Sequence, residues 1–398
     1  MTMTAPTRPV PVAPTARRRV LGVDAARGVA LLGMMAVHAL YVTDDQGRET
    51  WVGLVATGNA AALFAVLAGV GIAFLTGRAR VRGGAGARRA AASLTARALV
   101  VGALGLAVGG VTDPEVATVI LAYYAVLFLL AIPLVLLPTR LLVAVAVLGA
   151  AGIPFLSHVV RGHLPPPDLD NPSPSWLVTD PAELVRELFL TGSYPALSWL
   201  PYLAVGLAIG RADLRSPRLA GWLAGGGAAL GAAAAGVSAM LLGPGGGTGR
   251  IVAASSGLDP EDLHAVLTVG PDGTTPPTTL WWLAVDSPHS STSLDLARTT
   301  GIALAVLGVM LLLDRVRHPV LTAVRAPLAA AGAMTLTFYT LHVLFLNSPV
   351  DVYDPVPGYV VQVVAVLLLG LAWRASAGRG PLESLASAAG TRVARWVG

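Results

Sequence analysis

Ten apolar stretches run through this chain, near residues 20–42, 54–77, 92–111, 116–137, 141–160, 195–210, 218–243, 296–313, 328–347 and 358–374. Most have the roughly 17–25 residues that an α-helix needs to cross a bilayer. A helix satisfies its own backbone N–H and C=O groups inside hydrocarbon, where water cannot. The expected fold class is therefore all-α: a polytopic integral membrane bundle of about ten transmembrane helices.

Composition excludes a soluble reading. Of 398 residues, 55% are hydrophobic and 12% charged, with a mean hydropathy of +0.70. A soluble domain carries about 25% charged residues, and this chain has too few to cover a water-facing surface. There is no Cys, so disulfides, thiolate nucleophiles and zinc–thiolate sites are absent. All 27 basic residues are Arg, and the pI near 9.9 fits charge that orients a bundle better than a nucleic-acid partner.

The Arg distribution sets the expected orientation. With the N-terminus inside and each stretch crossing once, 21 Arg fall in inner segments and five in outer ones, and Arg27 lies within the first helix. Residues 1–19, rich in Pro, Thr and Ala, read as a disordered cytoplasmic tail. Residues 20–375 read as the transmembrane domain and 376–398 as a cytoplasmic C-terminal tail, in the cell membrane. The 20–42 segment has a signal-peptide look, but Asp24 and Arg27 interrupt its apolar region, so it reads as an uncleaved first helix. The 195–210 stretch is short and gains length if it joins the amphipathic Pro181–Leu190, and Pro154 is a candidate kink. Two long outer loops, about 161–194 and 244–295, are placed to cover an extracytoplasmic site.

Ionisable residues in a span are functional candidates by default. The first helix carries Asp24, Arg27 and His38. Arg27 and His38 are eleven residues apart, which returns them to one face about 16 Å apart along the axis. Asp24, three residues before Arg27, can pair with it, and an interfacial ion pair is the plainer reading of those two. His342 lies at a depth close to His38, with Thr335 and Tyr339 on its face. Asn59, Tyr123, Tyr124, Trp199 and Tyr202 enter from the outer ends of their spans, and for Trp199 and Tyr202 an interfacial aromatic belt is the favoured reading. His264 and His289 match no metal spacing and read as residues of a solvated loop, so no metal site is expected. An imidazole at the outer third could take a proton from a sugar hydroxyl or amine attacking an acyl carbon, while Arg27 holds a phosphate or polarises a carbonyl deeper down.

VDAARG, followed by the interval from Arg27 to His38, resembles the signature of bacterial membrane acyltransferases. It is similar to the catalytic domain of the heparan-alpha-glucosaminide N-acetyltransferase family and, more distantly, to the acyltransferase-3 family. TWVGLVATGNAAALFAVLAGVGIAFL at 50–75 resembles the second helix of the former, with Asn59 where an acidic residue is usual. ILAYYAVLFLLAIPLVLL at 120–137, LSWLPYLAVGLAIGR at 197–211 and RGPLESL at 379–385 resemble YeiB-like bacterial relatives.

The resemblance implies acyl-CoA, with acetyl-CoA the first expectation, presented from the cytoplasm as co-substrate and no permanently bound cofactor. A glycan or lipid-linked acceptor would be acylated across or within the membrane. His38 carries over as base and Arg27 as the donor-positioning group, with Asn59 and His342 as further catalytic candidates. Asp24, Tyr123, Tyr124, Trp199 and Tyr339 are substrate-contact candidates, and Arg78, Arg80 and Arg211 would meet the acyl-CoA phosphates. The acid-to-Asn departure at residue 59 implies altered proton handling, another substrate or lost activity. A transporter or flippase for a lipid-linked or anionic solute is the rival from another class, and an inactive accessory subunit is a third reading. No inverted pair of broken helices is evident, which weighs against transport. Small residues such as Gly69 and Ala73 would let helices approach closely, within one bundle or between the copies of a homodimer.

Overall fold

A computed structural model describes residues 19–271 and 273–397, so the expected tail over residues 1–19 lies outside the described residues except for Arg19. The described chain is helical, with one isolated bridge pairing Thr43 and Glu49. The first half contains α1 (Leu21–Ala39), α2 (Trp51–Ala56), α3 (Asn59–Leu75), α4 (Ala85–Gly109), α5 (Leu121–Val135) and α6 (Thr139–Arg161). Short helices α7 (Trp176–Thr179) and α8 (Pro181–Arg186) follow, then a π-turn at Glu187–Thr191. Beyond it come α9 (Ala196–Gly210), α10 (Pro217–Leu242), α11 (Gly247–Ala254) and α12 (Pro260–Thr268). The chain finishes with α13 (Ser293–Leu313), α14 (Pro319–Gly332), α15 (Thr335–Leu346), α16 (Pro355–Ser376) and α17 (Pro381–Trp396).

Among the described residues, seven helical segments are long and apolar enough to cross a membrane. They are α1, α2 with α3, α4, α6, α10, α13 and α16. The other three expected spans are occupied differently. Helices α5 and α9 are apolar but short, and α14 with α15 is a pair bent by 79°. Leu148, Trp222 and Leu368 stand exposed on the outside of the bundle, which a lipid solvent tolerates and water does not. The chain is a multi-pass membrane protein.

Three expectations about individual spans need correction. The 195–210 span does not lengthen by joining residues 181–190, because Gly192–Pro195 leaves the helix and turns the chain. The 54–77 span is two helices, parted at Thr57–Gly58, where Gly58 takes φ +71°. The 328–347 span breaks at Ala333–Met334, where Met334 leaves helical geometry. That break exposes the amides of the first turn of α15, and Glu383 from α17 satisfies them. Its Oε1 accepts from Leu336 N–H (2.7 Å) and Thr337 N–H (3.2 Å), and its Oε2 from the Thr337 hydroxyl (2.6 Å). Pro154 sits inside α6, which stays one helix.

Close backbone approach organises the centre. Helices α3 and α9 cross at Gly69 and Gly206, where a Cβ on either would strike the partner's backbone. Ala73 fills the next turn of this seam against Gly210. Without a hydrophobic drive between helices in lipid, such small-residue contacts supply the packing. Helix α17 lies along α4 and reaches the start of α15 through Glu383.

Candidate functional site

Two cavities lie in line along α1. The larger, about 550 Å³, is walled by α1, α3, α4, α5, the α14–α15 break and α17. Its volume falls within the ~300–1,000 Å³ of small-molecule sites. One end carries Arg19, Arg97 and Arg379, with Arg27 further in; the deeper wall is apolar, with Phe64, Leu67 and Phe128. Two carboxylates share it, Asp24 and Glu383. Asp24 lies 3.3 Å from Arg27, the pairing expected from the sequence, and Glu383 is engaged by α15. Arg97 and Arg379 both donate to the Ser387 hydroxyl, and no ion pair links Arg19, Arg97 or Arg379 to a carboxylate among the described residues. Arg97 Nε and the Tyr124 hydroxyl are buried without partners.

The smaller cavity, about 20 Å³, holds about one water-sized group. Met34, Ile120 and Tyr339 line both cavities, so the two adjoin there. His38 and His289 line the small one. Along α1, the arginine end and His38 bracket the stripe read from the sequence, with Arg27 between them.

His38 belongs to a hydrogen-bonded ladder. Gln362 Oε1 lies 2.6 Å from His342 Nδ1, and His342 Nε2 lies 3.3 Å from His38 Nδ1. A carbonyl oxygen only accepts, so His342 Nδ1 carries the proton and its Nε2 accepts from His38 Nδ1–H. His38 Nε2 is then left with a free lone pair, the form a general base or nucleophile needs. His342 is buried, whereas His38 retains some accessible surface at the cavity. Tyr339 meets the edge of the His38 ring (centroids 6.3 Å apart), and its hydroxyl is engaged by Ile120 N–H and Thr118 O.

The family model for the catalytic part of heparan-alpha-glucosaminide N-acetyltransferase matches residues 19–235, more than half of the chain. The chain belongs to this family. No curated protein and no solved structure matches it. The matched region supplies Asp24, Arg27 and His38, while His289, His342, Gln362, Arg379 and Glu383 lie beyond it.

The other expected site residues divide in this family member. Tyr124 and Tyr339 line the large cavity. Asn59 starts α3, and its amide N–H₂ donates to Leu54 O and Val55 O while its Oδ1 has no partner. It lines neither cavity, although its neighbours Gly58 and Ala60 line the small one. Tyr123 and Trp199 do not reach either cavity but pack edge-on against Tyr194, which does. Trp199 and Tyr202 are buried, which corrects the belt reading: Tyr202 bonds the Thr299 hydroxyl (2.6 Å) inside the bundle.

Arg78, Arg80 and Arg211 line neither cavity. Arg78 donates to Gly210 O and Ala212 O, Arg80 to Leu136 O, and Arg211 to Val135 O and Leu137 O. These are carbonyls left open where α5 and α9 end, so the three guanidiniums serve as caps. Among the described residues no cluster of His, Asp or Glu has the makings of a metal site.

His289 departs most from its sequence reading as a solvated loop residue; its neighbour in that reading, His264, is exposed as expected. His289 is half-buried at the small cavity, where desolvation holds its pKa down to about 4. Only an anomalous conformation, φ +59° at a non-glycine residue, marks it, and that is invisible in sequence. Gln362 does carry a signal in the sequence, as one amide in an otherwise apolar span.

Proposed function

We propose that the chain moves an acetyl or other short acyl group from acyl-CoA, entering at the arginine end from the cytoplasm, to a carbohydrate or lipid-linked acceptor arriving at the histidine end. The observation that carries this reading is the line of two adjoining cavities between an arginine cluster without ion pairs and the free lone pair of His38. Membership of the N-acetyltransferase family supports acyl transfer as the reaction class.

The cavity chemistry suits an acyl-CoA. Arg19, Arg97 and Arg379 would hold phosphates. Arg27, midway along α1, would hold the arm beneath the thioester. The apolar wall of Phe64, Leu67 and Phe128 would accept the pantetheine chain.

At His38 the acceptor amine or hydroxyl gives its proton to Nε2 as its nitrogen or oxygen attacks the thioester carbonyl. The carbon–sulfur bond breaks, and the departing thiolate takes the proton from His38, yielding acylated acceptor and free CoA. His342 accepts from His38 Nδ1–H throughout and steadies the imidazolium, itself oriented by Gln362. In the alternative order Nε2 attacks first and the carbon–sulfur bond breaks to release the thiolate; the acceptor then discharges the acyl-imidazole, and its proton passes to the thiolate. Both orders balance and both use the same lone pair.

The test is acetyl-CoA binding and CoA release by the detergent-purified protein beside His38→Ala and Arg27→Ala. Wild type is expected to bind and slowly release CoA. His38→Ala should bind normally with release reduced by about 10²-fold or more. Arg27→Ala should weaken binding about tenfold. A wild type that binds no acyl-CoA of any chain length sinks the reading, and solute uptake by liposomes becomes the assay.

A further inference from the structure

The segment Val285–Thr292 crosses the histidine end of the bundle as a strap, tied down at both ends. Ser287 donates to Val266 O, Thr292 to Val285 O, and Arg298 to Asp286 O, while Ser291 N–H donates to Asp295. Two non-glycine residues within three positions, His289 and Ser291, take left-handed backbone angles of +59° and +54°. Such conformations persist where surrounding structure enforces them, and they concentrate at working sites.

The surroundings do enforce them. Gly58, at the α2–α3 break, has no side chain because a Cβ there would stand 3.0 Å from the Pro288 ring. Tyr194, on the turn before α9, sets its ring edge-on to His289 (5.4 Å), and Trp199 backs Tyr194 (5.2 Å). The result is an imidazole delivered to the same 20 Å³ space as His38. His342 engages Nδ1 of His38, which leaves Nε2 as the ring nitrogen available to a group in this space. The space admits one water-sized group. Two buried hydroxyls without partners, Thr57 and Ser291, lie one and two residues along the chain from the lining residues Gly58 and His289.

We propose that His289 is the acceptor-binding residue: its neutral imidazole hydrogen-bonds the single amine or hydroxyl that enters between it and His38, with the rest of the acceptor lying outside the strap. This assignment rests on the acyl-transfer reading above and adds the group that places the nucleophile. The donor reaches His38 from the other side, through the large cavity, so His289 has no part in holding it.

The experiment uses acetyl-CoA as donor and glucosamine as acceptor probe, with the detergent-purified wild type, His289→Ala and His289→Gln. Glucosamine Kd is measured by calorimetry without donor; glucosamine KM, acetyl-CoA Kd and acceptor-free CoA release are measured alongside. His289→Ala should raise glucosamine Kd and KM about tenfold or more. It should leave acetyl-CoA Kd within about twofold, and His289→Gln, which keeps an N–H donor, should recover most of the acceptor affinity. A parallel loss of donor binding makes His289 a packing residue and overturns the proposal. So does an unchanged glucosamine Kd in His289→Ala, or a wild type that binds no glucosamine. A wild type that binds glucosamine through His289 yet never releases CoA overturns the acyl-transfer reading and leaves this assignment standing.

Discussion

Asn59 shows how a single side chain can be decided by the polarity of its partners. Its amide N–H₂ faces two carbonyl oxygens at the end of α2, Leu54 O at 3.4 Å and Val55 O at 3.3 Å. Carbonyls need a donor, and an ionised carboxylate has none. The acid expected from the resemblance would therefore face two acceptors in a buried place. Asn59→Asp should destabilise the protein by about 1–3 kcal/mol at pH 7, with relief as pH falls. Thermal unfolding in detergent at pH 5 and pH 8 measures it; an Asp variant as stable as wild type at both would mean the amide is not holding α2. The sequence marked residue 59 as a departure, but whether its partners give or take protons is a property of the α2–α3 joint.

At the scale of elements, breaks in the helices place the site more than the helices do. The π-turn after α8 ends in Gly192 and projects Tyr194 toward the small cavity. Glu187 opens that turn, buried, accepting from the Thr191 hydroxyl (2.9 Å) and Asp168 N–H (3.2 Å). Desolvation pushes its pKa up from 4.5 to about 7. A carboxyl raised on folding favours the folded state below its unfolded pKa and loses that advantage as pH rises through the folded one. The stability difference between wild type and Glu187→Gln should therefore move against wild type by about 2–3 kcal/mol between pH 4.5 and pH 8. Unfolding midpoints of the two proteins across that range test it, and a difference that stays flat with pH would sink the argument. The α14–α15 break works the same way. A straight span over residues 328–347 was the simplest reading of an apolar run, yet the free amides at its break are what draw Glu383, and with it α17, to the cavity wall.

Across the whole molecule, arginines that look alike in sequence have different work. Arg78, Arg80 and Arg211 spend their donors on helix-end carbonyls, whereas Arg19, Arg97 and Arg379 face the large cavity. Under the proposed reaction, Arg97→Ala and Arg379→Ala should each weaken acetyl-CoA binding by about 10–100-fold, as expected for a charge-assisted contact to phosphate. Arg78→Ala and Arg211→Ala should lower the unfolding midpoint while leaving acetyl-CoA Kd within about threefold. Equal effects on binding in both sets would remove the distinction between cap and anion site.

The sequence by itself determined the class of fold and one stripe of the site. Apolar length dictates membrane helices because hydrocarbon leaves the backbone no other partner. Helical period alone carries Asp24, Arg27 and His38 to one face, and the family match follows from that region. Tertiary structure decided the rest. His342 meets His38 across 304 positions, Gln362 fixes the proton between them, and a strained strap brings in His289. Arg379 and Glu383 reach the cavity from beyond the last span. Periodicity orders only neighbours on one helix. Contacts between helices depend on where small residues allow approach and where helices break, and those outcomes are fixed only when every backbone donor has found its acceptor.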